Sequence, residues 1–200
     1  MPDMEAVKLA DLIGARICHD LANPLGAINN GLELMMLQNS ATGPEVALMS
    51  ASIQDADARI RFFRLAFGAA DNGLVSARET ETILAGYTRG TPRVTVKVNA
   101  LGDLVRWQAK LAFLAVLCCE TTVATGGAIT ATKSGTDIVV EARSDRLSLD
   151  RTLWAGLTRP AGLSHISPAK VQFALLPLTA QDLNRAVTVD TGPDHVRLMV

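Results

Sequence analysis

Two hundred residues suffice for one large domain or two small ones, and 48% hydrophobic residues permit a sizeable core. Aromatics make up only 4%, so that core is aliphatic, and 19 basic against 20 acidic residues (net −1) leave no electrostatic footprint for nucleic acid or an anionic membrane. Three cysteines without CxxC spacing (Cys18, Cys118 and Cys119) argue against a disulfide framework or a zinc site. The richest apolar run, Leu111 to Cys119, falls far short of the ~18 residues of a membrane span. Met1 to Leu12 lacks a basic stretch followed by a long apolar one, so no signal peptide is expected and the expected setting is cytoplasmic and reducing.

A first long helix is expected from Asp3, a candidate N-cap, to about Leu37, interrupted only by Pro24. Residues 39–44 (NSATGP) form a breaker cluster. A second helix then runs from Pro44 to about Ala69, with Val46, Met49, Ile53, Ala56, Ile60, Phe63 and Phe67 alternating spacings of three and four. Two such helices cannot hide their apolar stripes alone. A hairpin that dimerises into a four-helix bundle is the simplest closure. The first expected domain is therefore 1–72.

Asp71-Asn-Gly73 changes the character of the chain, and 73–200 reads as a second, mixed domain. Its expected elements are a helix over Ser76 to Thr88 with Ser76 and Glu79 spaced as a capping box, a strand over Arg93 to Asn99, and a long apolar helix from Leu104 to about Thr122. Gly126-Gly127 leads into a hairpin, Ala128 to Thr132 and Ile138 to Ala142, turning at Ser134-Gly135. Helices near Asp150 to Leu157 and Pro168 to Leu183 precede a terminal hairpin, Ala186 to Val189 and His195 to Val200. The fold class is α+β, with helices on one face of a mostly antiparallel sheet.

Chemistry concentrates in Arg16 to Asn30, RICHDLANPLGAINN. On a helix turning ~100° per residue, Ile17, Leu21, Ile28, Leu32 and Met35 share one side while His19 points away. Arg16, Asn23, Gly26 and Asn30 lie on the stripe of His19, and Asp20 sits beside it. A neutral imidazole is a competent nucleophile near neutral pH, and a neighbouring carboxylate can orient it or take its proton. Arg16, one turn earlier, is placed to offset phosphoryl charge, or is simply solvated. Asn23 reads either as a surface amide or as part of the site. Pro24 removes the hydrogen bond to the carbonyl of Asp20 and is expected to kink the helix there.

The order His19-Asp20-x-x-x-Pro24 on a long amphipathic helix, followed by a heptad helix, resembles the H-box of sensor histidine kinases. Extended to Gly-Ala-Ile-Asn-Asn-Gly-Leu-Glu-Leu, ending at Leu34, it resembles the alphaproteobacterial ChpT histidine phosphotransferase family over essentially the whole chain. The resemblance implies His19 as phosphoryl acceptor, Asp20 as its acidic companion, and Asn23 where kinases with phosphatase activity carry a water-positioning group. It implies a homodimer that takes phosphate from a CckA-type hybrid kinase receiver and passes it to CtrA- and CpdR-type receivers. It also implies no cofactor of its own, with Mg2+ held by the receiver.

The second half resembles a degenerate histidine kinase ATPase domain. Counting back from Gly126-Gly127, the position of that domain's magnesium-binding asparagine falls at about Cys118, and sulfur is a poor ligand for magnesium. Where its Asp-x-Gly-x-Gly loop belongs, Arg143 to Ser148 has no glycine. Weaker features have ordinary readings: Cys118 and Cys119 as core thiols, His165 and His195 as turn or surface residues, and Arg59, Arg61 and Arg64 as a solvent-facing run that otherwise contacts a receiver. The rival functions are an ATP-dependent autokinase and a non-enzymatic dimerisation module.

Overall fold

In the computed structural model the described residues are 4–38, 44–89, 93–99, 101–159 and 166–200. Asp3, the breaker residues 39–43 and His165 lie outside them. Helix α1 (Met4–Gln38) and helix α2 (Pro44–Ala66) form the expected hairpin. Gly31 lets them approach closely, because a Cβ there would collide with the Met49 side chain. Pro24 lies inside α1 and is buried. The heptad stripe of α2 is covered only towards its end. Phe63 is buried, whereas Val46, Ile53 and Ile60 stay exposed.

Past the hairpin come β1 (Leu74–Val75), α3 (Ala77–Thr88), β2 (Val94–Val98), β3 (Leu104–Val105) and α4 (Arg106–Glu120). Ser76 caps α3, its hydroxyl accepting from the Glu79 amide at 3.2 Å. Leu104 and Val105 were expected to open the apolar helix; instead they pair antiparallel with β1, and α4 starts at Arg106. A two-residue bridge depends on partners 29 and 31 residues away and has no local signature.

Then follow β4 (Gly127–Ser134), β5 (Asp137–Arg143), α5 (Arg151–Thr158), a 3-10 turn (Pro168–Lys170), α6 (Gln172–Asp182), β6 (Thr188–Thr191) and β7 (His195–Met199). The single helix expected over Pro168 to Leu183 is thus split in two. Gly135 adopts φ of 61° at the β4–β5 turn, and Asp150 caps α5 through the amides of Thr152 and Leu153. The sheet order is β2-β4-β5-β7-β6, antiparallel except for β2 with β4. Ile129, Ala131, Ile138, Val140, Ala142, Val196 and Leu198 alternate along the strands and bury one face. Against it lies α4, buried from Gln108 to Cys119, with α6 packed on α4 and α5 on α6. The architecture is α+β, as the patterning required.

The hydrophobic core does not stop at residue 72. Phe62, Phe63, Leu65 and Ala66 at the end of α2 belong to one cluster with Ile83, Tyr87, Phe113 and the sheet. Leu9, Ile13 and Ile17 of α1 pack against its margin. The hairpin is thereby seated on the mixed half, and the segment carrying His19 emerges where the two meet.

Candidate functional site

His19 projects from α1 with 77% of its side chain exposed. Its Nδ1 lies 3.0 Å from Oδ1 of Asp20, whose own side chain is only 11% exposed. Adjacent helical positions diverge by ~100°, yet the two side chains meet, the carboxylate covered and the imidazole reaching outward. Engaging Nδ1 with a carboxylate leaves Nε2 as the ring nitrogen free to meet a partner.

Arg16 is not beside the imidazole in solvent, as its place on the same helical stripe suggested. Its side chain is 12% exposed. Its Nε donates to Oδ2 of Asp20 at 2.6 Å, and its Nη1 donates to the carbonyl oxygen of Ala169, also at 2.6 Å. The correction has a simple cause. The 3-10 turn of the second half docks against this face of α1 and supplies an acceptor that no helical wheel contains. Asn23, one turn beyond His19, is exposed, as are Asn29 and Asn30. The structure therefore links Arg16, Asp20 and His19 into one chain of contacts.

Behind these residues is a charged cluster that the sequence did not announce. Tyr87 donates its hydroxyl to Oε2 of Glu120 at 3.0 Å. Arg59 bonds Asp55 at 2.9 Å and lies 5.7 Å from the centre of the Tyr87 ring. Of the basic run on α2, Arg61 and Arg64 face solvent, but Arg59 turns inward. Burial pushes the Glu120 carboxyl up, opposed by the Tyr87 hydrogen bond and by the charges of Arg16 and Arg59. Burial, followed by the Glu120 charge, likewise lifts the Tyr87 phenol well above its ordinary value. The one hint in the sequence was an acidic residue closing an otherwise apolar helix.

In the second half Cys118 and Cys119 are fully buried, and burial raises both thiols. Next to Cys118, the carbonyl of Leu117 accepts from Nε2 of Gln172 at 3.4 Å, so α6 lies directly on α4. Ser144, in the segment Arg143 to Ser148, bonds the carbonyl of Gly126 at 2.7 Å. That segment rims an open hollow of about 690 Å³, which Cys118 does not line. His195 sits in the β6–β7 hairpin between Asp190 and Asp194. Among the described residues no three His, Cys, Asp or Glu side chains converge as a metal site, and no helix is long and apolar enough to cross a membrane.

Residues 77–195 match the family model described as the histidine phosphotransferase C-terminal domain. The chain belongs to the histidine phosphotransferase family. The match begins at the first residue of α3 and ends at the start of β7, so it covers the mixed half. Within this family, protein phosphotransferase ChpT of Brucella abortus (strain 2308) is 32% identical over 136 residues, which are 67% of this chain and 65% of that protein. The alignment thus spans slightly less than two thirds of the curated relative's length. A solved bacterial phosphotransferase is 25% identical and superposes with a TM-score of 0.79, covering 97% of this chain and 96% of the other. Histidine kinase AdeS of Acinetobacter baumannii aligns over 90% of this chain and 95% of its own, at a TM-score of 0.45 and 7% identity.

Proposed function

We propose that this histidine phosphotransferase relays a phosphoryl group through His19, from an aspartate of one receiver domain to an aspartate of another. The observation that carries the reading is the exposed imidazole with Nδ1 engaged by a covered carboxylate. The Nε2 lone pair attacks phosphorus of the aspartyl phosphate. The P–O bond to the acyl group breaks, and the receiver carboxylate departs with the electron pair. The imidazole then carries phosphorus on Nε2 and hydrogen on Nδ1, and its positive charge is balanced by Asp20. Attack by a second receiver's carboxylate reverses these bonds. Little covalent chemistry is asked of the protein beyond placing the ring in line.

The partner classes are those the resemblance implies: a CckA-type donor and CtrA- and CpdR-type acceptors, each receiver bringing its own Mg2+. Asn23, exposed one turn from His19, is assigned to contact with the incoming receiver or the water that dephosphorylates it. A homodimer closes the bundle over the exposed Val46, Ile53 and Ile60 of α2 and Leu32 of α1. We place the working domains at 1–72 and 73–200, in a cytoplasmic setting. Against the autokinase reading, the count from Gly126-Gly127 puts the asparagine position at about Cys118, which is fully buried, and α6 packs on the adjoining turn of α4.

The test is phosphotransfer profiling with radiolabelled phosphorylated receiver domains, wild type against His19→Ala, plus calorimetric titration with magnesium and ATP. The proposal expects labelling of the wild type only, with unchanged circular dichroism and no heat of ATP binding. Labelled His19→Ala protein would overturn it, and saturable ATP binding would favour the autokinase.

A further inference from the structure

The acid that holds His19 is itself held from outside α1. Asp20 turns one oxygen to His19 Nδ1 at 3.0 Å and the other to Arg16 Nε at 2.6 Å. Arg16 uses a second N–H of its rigid fork, on Nη1, for the Ala169 carbonyl at 2.6 Å, 153 residues along the chain. Two bonds from one planar guanidinium fix its plane, and that plane fixes the carboxylate. With about nine-tenths of both side chains covered, the Arg16–Asp20 contact is stronger than it would be in water.

The charged and titratable groups that act on the pair from neighbouring elements are Arg59 on α2, itself bonded to Asp55, Tyr87 on α3 and Glu120 on α4. Arg16 therefore already answers two carboxylates: Asp20 by contact and Glu120 through its field. It is not a free cation waiting for a phosphoryl group.

We infer that Arg16 is a positioning residue: clamped between Asp20 and the Ala169 carbonyl, it selects the His19 tautomer with hydrogen on Nδ1 and so makes the docked second half part of the phosphotransfer machinery. This deepens the reading of His19 as carrier and rests on it. A neutral imidazole on an open helix face interconverts between two tautomers, and the one with hydrogen on Nε2 keeps its lone pair on Nδ1, turned towards Asp20, with none on the exposed nitrogen. Asp20 can favour the reactive tautomer only while its own oxygen is aimed at Nδ1. The Arg16 fork supplies that aim. The C-terminal half gains a chemical task through one backbone carbonyl.

The test uses the full-length protein with Arg16→Met and Arg16→Lys. Three readouts are taken: the His19 tautomer from long-range ¹⁵N–¹H correlation spectra, the transfer rate from a phosphorylated receiver, and the urea midpoint. Arg16→Met should turn a single Nδ1–H tautomer into a mixture. By analogy with the outer-shell partners that orient metal-bound histidines, it should slow transfer about ten- to a hundredfold, without changing the KM for the receiver. Arg16→Lys keeps the charge but lacks the planar fork, so it should stay slow and mixed. Restoration of rate by lysine, or a slow Arg16→Met with a native tautomer, would instead make Arg16 a charge for the phosphoryl group and overturn the inference. If Arg16→Met fails to fold, Arg16→Lys decides by the same two signals. A wild type that accepts no phosphoryl group would sink the carrier reading, while the tautomer comparison would still judge the clamp.

Discussion

Replacing Phe62 with alanine removes a ring with no solvent exposure from the point where hairpin and mixed half meet. The ring stacks on Tyr87 of α3 at 4.0 Å, tilts against Phe113 of α4 at 4.7 Å and meets Phe63 edge-on at 6.0 Å. Truncating a buried phenylalanine costs about 3–5 kcal/mol in lost transfer energy and residual cavity. Three aromatic partners place this site in the upper part of that range, about 4 kcal/mol. With a urea slope of ~2.5 kcal/mol/M, the midpoint should fall by ~1.6 M. Two probes report on different parts of the molecule. Trp107 and Trp154 both lie in the mixed half, whereas far-UV circular dichroism is weighted towards the 35 and 23 residues of α1 and α2. If the core is continuous, both transitions move together at fixed protein concentration. A tryptophan transition left in place while the helical signal shifts would refute the shared core, as would a midpoint change below ~0.5 M.

His195 is held above its ordinary value chiefly by the hydrogen bond to Asp194, with Asp190 adding to it. Because the folded value is raised, the stabilisation is complete below the unfolded value of ~6.5 and is lost as pH rises through the folded one. An NMR titration should find the His195 midpoint above ~6.5 and lower in Asp194→Asn; identical midpoints would remove the coupling. On α2, Ile53→Glu with Ile60→Glu places charges on two exposed apolar positions of the heptad stripe. Sedimentation should then show dimer giving way to monomer, and an unchanged mass would move the dimer interface elsewhere.

Much of the site was legible because it is local. The outward direction of His19 follows from helical geometry acting on Ile17, Leu21 and Ile28, which lie on the opposite side and are partly covered. The β4–β5 turn at Gly135 and the Asp150 cap are likewise set by residues within a few positions of each other. Arg16 was legible as a residue near His19 but not as a clamp, since its second acceptor is a backbone carbonyl that belongs to no motif. Arg59 looked like its neighbours Arg61 and Arg64 and differs from them only because Asp55 and Tyr87 draw it inward.

The order of residues along the chain settled most of the helices, the strands of the five-stranded sheet, the exposed imidazole and the family, because periodicity, capping and motif spacing act over one or two turns. Which groups stand behind that imidazole was decided by packing. The seat of α1 on the 3-10 turn, the Tyr87–Glu120 pair, the β1–β3 bridge and the parallel pairing of β2 with β4 each join residues 29 to 153 positions apart. Such pairs are fixed by how buried faces fit in three dimensions, and no local pattern encodes that fit.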